Sequence, residues 1–169
     1  MKQLYLLRHA KSSWKNRELS DRERPLNKRG YRDAPRMGAY LADRYSPIQF
    51  FVSPARRAQE TYTELLTGWP ELNSQAVTTE EALYTFEFRE LLQWLSARPD
   101  ELSAVAMVGH NPALTDLTNW LVGGEVIENL PTAGWVDLVI DLDRWSDIEL
   151  SRGRGHCKTI IKPKDIDSG

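Results

Sequence analysis

Three short stretches hold residue types that can do chemistry together: Arg8-His9, Ser53-Pro54-Ala55-Arg56-Arg57 and Gly109-His110-Asn111-Pro112. Arginine presents a planar fork of donors that matches a phosphate through two parallel hydrogen bonds. Imidazole is a nucleophile when neutral. Arginine charge beside it favours that neutral form by disfavouring imidazolium. Arginines and imidazoles around one point suit an anionic substrate, and a dianionic phosphoryl group with its oxygens is the best match. A site of this kind can pass the phosphoryl group to an imidazole without a metal, and water then resolves the covalent intermediate. The chain has only three histidines, His9, His110 and His156.

The order of elements predicts how these stretches meet. Lys2 to Leu7 is a short apolar run ending in charge, which predicts a buried strand. Arg8 to Leu26 is polar and without period, and reads as a loop. Asn27 to Tyr45 predicts a helix with Asn27 as N-cap; Pro35 inside it would kink the helix or delay its start. Ile48 to Val52 reads as a second strand, after which Ser53 as N-cap and Pro54 at the first position open a helix. Ala76 to Thr78 reads as a short strand. Phe88, Leu91, Leu92 and Leu95 mark a third helix, ending before Pro99. Ser103 to Val108 is a further strand, and Asn111 is expected to cap a fourth helix with Pro112 at its first position. Trp135 to Leu142 and Lys158 to Ile161 read as the last strands.

Strand–helix alternation with short connections predicts an α/β fold: a three-layer sandwich, with a mostly parallel central sheet flanked by helices on both faces. Ligands bind such sheets beyond the carboxyl ends of the strands. All three reactive stretches fall there. The helix starts after Ser53 and His110 are expected to add amide donors and partial positive charge.

Composition narrows the classes. A length of 169 residues predicts one domain over residues 1–169. The 22 basic and 24 acidic residues leave a net charge of −2, which excludes a strongly cationic nucleic-acid binder and a self-repelling disordered chain. The single cysteine, Cys157, allows no intrachain disulfide and suggests a reducing compartment. The apolar run Leu4 to Leu7 is too short for a signal-peptide core, and no run suits a membrane span, so a cytoplasmic location with no membrane partner is expected. There is no G-x-x-x-x-G-K-S/T, C-x-x-C or H-E-x-x-H. Pro163, not arginine, stands six residues after Cys157, so a cysteine-phosphatase loop is absent. No metal and no cofactor is expected.

These residues carry a resemblance. Arg8-His9-Ala10, Ser53-Pro54-x-x-Arg57-Ala58-x-x-Thr61 and Gly109-His110-Asn111 resemble, in order and spacing, three motifs of the histidine phosphatase (phosphoglycerate-mutase-like) superfamily. Arg8-His9-Ala10-Lys11-Ser12-Ser13-Trp14 and Asp21-x-x-Arg24-Pro25-Leu26-Asn27-x-x-Gly30 are similar to its SixA-type phosphohistidine phosphatases. The likeness runs from Met1 to about Lys162.

The resemblance implies His9 as the nucleophile that becomes phosphorylated. It implies Arg8 and Arg57 as clamps on the phosphoryl oxygens, with His110 binding the same group. Arg56 is off the motif and reads as a solvated residue. Many members place a glutamate acid where this chain has Thr85. Asp21 is then the candidate general acid, although a loop ion pair is the plainer reading of it. An imidazole leaving group departs from phosphorus more readily than an alkoxide and needs an acid less. Lys11 and Ser12 read equally as phosphate contacts or as a solvated loop. His156 and Cys157 receive no role. The expected partner is a phosphohistidine-bearing protein, such as a histidine phosphotransfer domain or phosphocarrier. Alternatives are a small phosphorylated metabolite as substrate, and a non-catalytic phospho-binding module.

Overall fold

The computed structural model describes residues 1–166. Six strands and four helices follow in the order β1 (Lys2–Arg8), α1 (Lys28–Ala42), β2 (Phe50–Val52), α2 (Arg56–Gly68), β3 (Val77–Thr79), α3 (Phe88–Ser96), β4 (Ala104–Gly109), α4 (Ala113–Val122), β5 (Trp135–Ile140) and β6 (Gly155–Ile161). The sheet order is β3-β2-β4-β1-β5-β6. The β3–β2, β2–β4 and β4–β1 pairs are parallel, while β5 and β6 add antiparallel at one edge. The mostly parallel α/β sandwich expected from the alternation is the fold observed.

The apolar strand residues alternate between two cores, as the two-residue period of a strand demands. Leu4, Leu6, Phe51, Val105 and Met107 face Leu91, Leu95, Leu114 and Leu117 from α3 and α4. Tyr5, Leu7, Phe50, Val52, Ala106 and Val108 face Met37, Leu41, Ala58 and Leu65 from α1 and α2. Both faces of the parallel strands are therefore covered, and their sequences read as continuous apolar runs. Removing one such leucine to alanine costs about 2–5 kcal/mol, so each face is individually indispensable.

Helix α1 starts where Asn27 caps it, its side chain accepting from the Gly30 N–H at 2.9 Å. The helix is not delayed by Pro35, which lies inside it, and it ends at Ala42, short of Tyr45. A side chain at Gly38 would collide with the Leu65 carbonyl, and one at Gly68 with the Pro35 carbonyl. These two glycines let α1 and α2 lie backbone to backbone.

Two expected caps are corrected. Helix α2 begins at Arg56 with Ala55, not Ser53, at its N-cap. Pro54 accordingly lies outside the helix, and the Ser53 hydroxyl is drawn to His110 instead, 2.8 Å away. Helix α4 begins at Ala113 with Pro112 as N-cap. Asn111 still serves the helix from one residue further out, its Oδ1 accepting from the Thr115 N–H at 3.1 Å.

Candidate active site

Strand register explains why two residues 101 positions apart meet. Arg8 of β1 lies opposite Gly109 of β4, so the next residue of each strand, His9 and His110, leaves the sheet side by side. The His9 N–H continues the ladder to the Gly109 carbonyl at 3.1 Å, and the Ser53 N–H does the same to Val108 at 3.1 Å. The two imidazole centroids are 5.2 Å apart. A cavity of about 270 Å³ opens over them, lined by Arg8, Lys11, Ser12, Asp21, Arg57 and the aromatic Trp14 and Phe86, among others.

The protonation of His9 is set by one bond. Its Nδ1 lies 2.7 Å from the Ala10 carbonyl oxygen. A carbonyl only accepts, so Nδ1 carries the proton and Nε2 is left with a bare lone pair. Burial pushes the His9 pKa down to about 3; the Ala10 bond opposes this, and the charges of His110, Arg57 and Arg8 add to it. Neutral, singly protonated imidazole is thus the resting form at pH 7.

His110 is likewise held neutral, at about 3, first by burial and then by the Arg57 charge. Its Nε2 bonds Ser53 Oγ, while its buried Nδ1 has no partner among the described residues. Arg8 Nε and Arg57 Nε are also buried without a partner among the described residues. Three buried polar atoms around one cavity are left without a partner among the described residues. Buried polar atoms in folded proteins nearly always have partners, and an anion with several oxygens would supply them.

The remaining arginine atoms are anchored. Arg8 Nη1 donates to the Leu130 carbonyl at 2.9 Å. Arg57, 2% exposed, donates from Nη1 to the Asp21 carbonyl at 2.6 Å and from Nη2 to Asp21 Oδ2 at 2.9 Å. Arg24 completes the layer, bonding Asp21 Oδ1 and, at 2.8 Å, Ser12 Oγ. Charge on Arg57 and burial lower the Arg8 pKa only from an already high value, burial being the larger cause.

All seven residues expected at the site line this one cavity. Asp21 is present in a state opposite to that of a general acid. Burial pushes its carboxyl up, but hydrogen bonds from Tyr84 and Arg57, the Arg57 charge and a bond from Arg24 outweigh this and hold it at about 2. It is a carboxylate at neutral pH and has no proton to give. Ser12 is turned to Arg24, and Lys11 is exposed at the rim. The expected helix-start donors after His110 are not free: the Leu114, Thr115 and Asp116 amides are bonded to His110, Asn111 and Pro112. Arg56 pairs with Glu60 at the surface, away from the cavity lining. His156 of β6 pairs with Val139 of β5, toward the end of the sheet where Ile140 meets Lys2, opposite to the site.

Sequence reasoning passed over four contributors. Ser53 orients His110, Tyr84 donates its hydroxyl to Asp21 at 2.6 Å, and Arg24 braces the same carboxylate. The fourth is the turn Leu130–Gly134. Its Ala133 N–H reaches both the Arg8 and His9 carbonyls, at 3.0 and 3.1 Å, and Gly134 accepts from the Arg8 N–H. The turn signal Pro131-x-x-Gly134 was readable; its contact with Arg8 was not. Among the described residues, no group of three or more His, Cys, Asp or Glu side chains is arranged to hold a metal ion. No helix among them is long and apolar enough to cross a membrane.

This sheet order, with two histidines and two arginines at the carboxyl edge, defines a phosphoglycerate-mutase-like α/β protein. The family model described as histidine phosphatase superfamily (branch 1) matches residues 4–94, more than half of the chain, and the chain belongs to that superfamily. An uncharacterized chloroplastic protein of Arabidopsis thaliana is 29% identical over 134 residues, covering 74% of this chain and 61% of its own length. The chain thus spans about three fifths of that relative. An uncharacterized protein of Mycobacterium leprae is 28% identical over 156 residues, covering 85% of this chain and 92% of its own. Among solved structures, SixA of Agrobacterium tumefaciens superposes with a TM-score of 0.79 at 24% identity, covering 96% of this chain and 98% of that one. The protein histidine phosphatase SixA complexed with tungstate gives 0.78 at 21%, covering 98% and 99%. A mycobacterial glucosyl-3-phosphoglycerate phosphatase gives 0.67 at 16%, covering 94% and 97%. These superpositions carry the fold.

Proposed function

We propose that this chain is a metal-independent phosphatase that forms a phosphohistidine at His9 and acts on phosphohistidine carried by a phosphotransfer protein. The observation that carries the reading is the bare Nε2 of His9, fixed by the Nδ1–H bond to Ala10 and set beside His110 beneath two arginines. His9 Nε2 attacks phosphorus as the P–N bond of the substrate breaks. The three phosphoryl oxygens are received by Arg8, Arg57 and His110 Nδ1, the atoms now without partners. Positive donors aimed at developing negative charge lower the barrier; removing one such donor typically costs about 10²–10³ in rate.

The substrate supplies its own leaving-group chemistry. A phosphoimidazole protonated at its second ring nitrogen departs as neutral imidazole, so no enzyme acid is required. That fits the ionised Asp21 and the threonine at position 85. Water then attacks the phosphorus on His9, the P–N bond breaks with its electron pair returning to Nε2, and both protons of the water leave with inorganic phosphate. A sugar phosphate would need its alkoxide protonated, and Asp21 is not in a form to do so.

The test compares release of phosphate from a phosphohistidine protein and from a panel of sugar phosphates, for the wild type and for His9→Ala. Turnover of the phosphohistidine protein that is lost in His9→Ala and survives a chelator supports the reading. Preference for a sugar phosphate, undiminished turnover in His9→Ala, or loss in chelator restored by a divalent metal would each overturn it. Binding of phosphate without turnover would make the chain a phospho-binding module.

A further inference from the structure

Two exposed aromatic side chains lie at the mouth of the His9 cavity, Trp14 at 71% exposure and Phe86 at 44%. Large apolar groups left in water at a polar cavity call for a reason. Trp14 is not loose. The guanidinium carbon of Arg24 lies 3.5 Å from its ring centroid. Arg24 is itself buried, its in-plane donors engaged by Ser12 and Asp21. One face of the indole is therefore held against a fixed cation, and the high exposure places much of the rest in solvent. Phe86 leans on the other histidine, its ring 5.6 Å from that of His110 and 6.0 Å from Tyr84.

The polar rim groups are mostly engaged within the protein. Ser12 Oγ accepts from Arg24. Asn111 donates to Asn129 and Leu130 and accepts from Thr115. A hydroxyl-rich leaving group would find the exposed Lys11 but few other free partners here, whereas a flat ring finds two aromatic surfaces. The cavity, about 270 Å³, is below the range of roughly 300–1,000 Å³ usual for whole small-molecule ligands. It suits a phosphoryl group with one small ring attached, the remainder of the substrate staying outside.

We infer that Trp14 and Phe86 are specificity residues that grip the imidazole ring of the substrate phosphohistidine. This rests on the proposed function and adds how the leaving group is chosen. Aromatic pairs of this kind are worth enough to shift affinity several-fold, and they act on binding before the P–N bond breaks.

The test uses two substrates with the same P–N bond, a phosphohistidine peptide and ring-free phosphoramidate, with the wild type, Trp14→Ala, Trp14→Phe and Phe86→Ala. The expected result is a rise in KM for the peptide of about fivefold to tenfold in each alanine variant, with kcat within about twofold and phosphoramidate turnover unchanged. Trp14→Phe should recover most of the peptide KM. Equal losses on both substrates, or no change on the peptide, would overturn the ring grip while leaving the phosphatase reading intact. A wild type that hydrolyses neither the peptide nor phosphoramidate, yet cleaves a sugar phosphate, would overturn the phosphatase reading and the grip with it. Circular dichroism of the variants separates a local effect from misfolding.

Discussion

Arg57 and Asp21 are joined twice: Arg57 Nη1 donates to the Asp21 carbonyl at 2.6 Å and Nη2 to its carboxylate at 2.9 Å. The guanidinium that faces the cavity is thereby fixed in plane before any anion arrives. The same carboxylate repels a dianion. These two effects separate by substitution. Asp21→Asn keeps an acceptor for Arg57 and removes the charge, so inorganic phosphate should bind roughly threefold to tenfold more tightly. Asp21→Ala removes the brace, and kcat/KM should fall at least about tenfold. Phosphate calorimetry and steady-state kinetics check both. A large kcat loss in Asp21→Asn that grows as the leaving group worsens would instead make Asp21 the acid.

Ser53 and His110 give a second expectation. Ser53 Oγ, fully buried, is the partner of His110 Nε2. Removing it leaves a buried ring nitrogen unsatisfied, at a cost of about 1–3 kcal/mol. It also frees the ring to take either tautomer, so the proton on Nδ1 is no longer fixed. Ser53→Ala should therefore unfold at lower urea and lose roughly tenfold in kcat, equivalent to about 1.4 kcal/mol. Unchanged kcat would show that Ser53 only fills space.

Much of this site was legible because it lies where strands end. Apolar runs named β1, β2 and β4, and the sheet-edge rule then placed Arg8, His9, Arg57 and His110 together. What was not legible were the bonds between loops. Ser53-Pro54 carries a helix-start pattern, but the hydroxyl has a stronger partner in His110 than in the α2 amides, so the cap moved to Ala55. For Asp21 the sequence offered a loop ion pair as the plainer reading and a general acid as the alternative; the ion pair is what forms, with partners the sequence did not name. Arg24, Arg57 and Tyr84 come from 3, 36 and 63 residues away, and only folding reveals that they hold it ionised. Strand edges drifted by one to three residues for the usual reason that pairing, not composition, ends a strand.

The two buried histidines set an acid limit on stability. Each is held at about 3 in the fold, against 6.5 for the free group. Between those values the unfolded chain binds protons that the folded chain refuses, so stability falls as pH drops from about 6.5 toward 3. The slope is up to about 1.4 kcal/mol per pH unit for each histidine. Asp21 works lower, its stabilising charge being lost only between about 3.8 and 2. Urea midpoints at pH 7, 6 and 5 should decline, and His110→Asn should show about half the slope. A flat profile over this range would mean that the imidazoles titrate normally.

The turn at Ala133 links backbone strain to His9. Ala133 is fully buried and has φ of 60°, a left-handed conformation that alanine adopts at some cost. From there its N–H reaches the carbonyls of both Arg8 and His9, and Leu130 in the same turn accepts from Arg8 Nη1. A β-branched residue cannot take this conformation without a larger penalty, and added methyl groups would have to be fitted at a fully buried position. Ala133→Val should destabilise by about 2–5 kcal/mol and lower kcat well below the unfolding temperature. Ala133→Gly relieves the strain but adds chain entropy to the unfolded state, so its stability should stay within about 1 kcal/mol of the parent, with kcat retained. Thermal melts and kinetics on the pair distinguish two roles for the turn. If Ala133→Val is less stable yet turns over normally when folded, the turn only closes the sheet edge; if kcat falls with it, the strained residue holds Arg8 and His9 in register for attack.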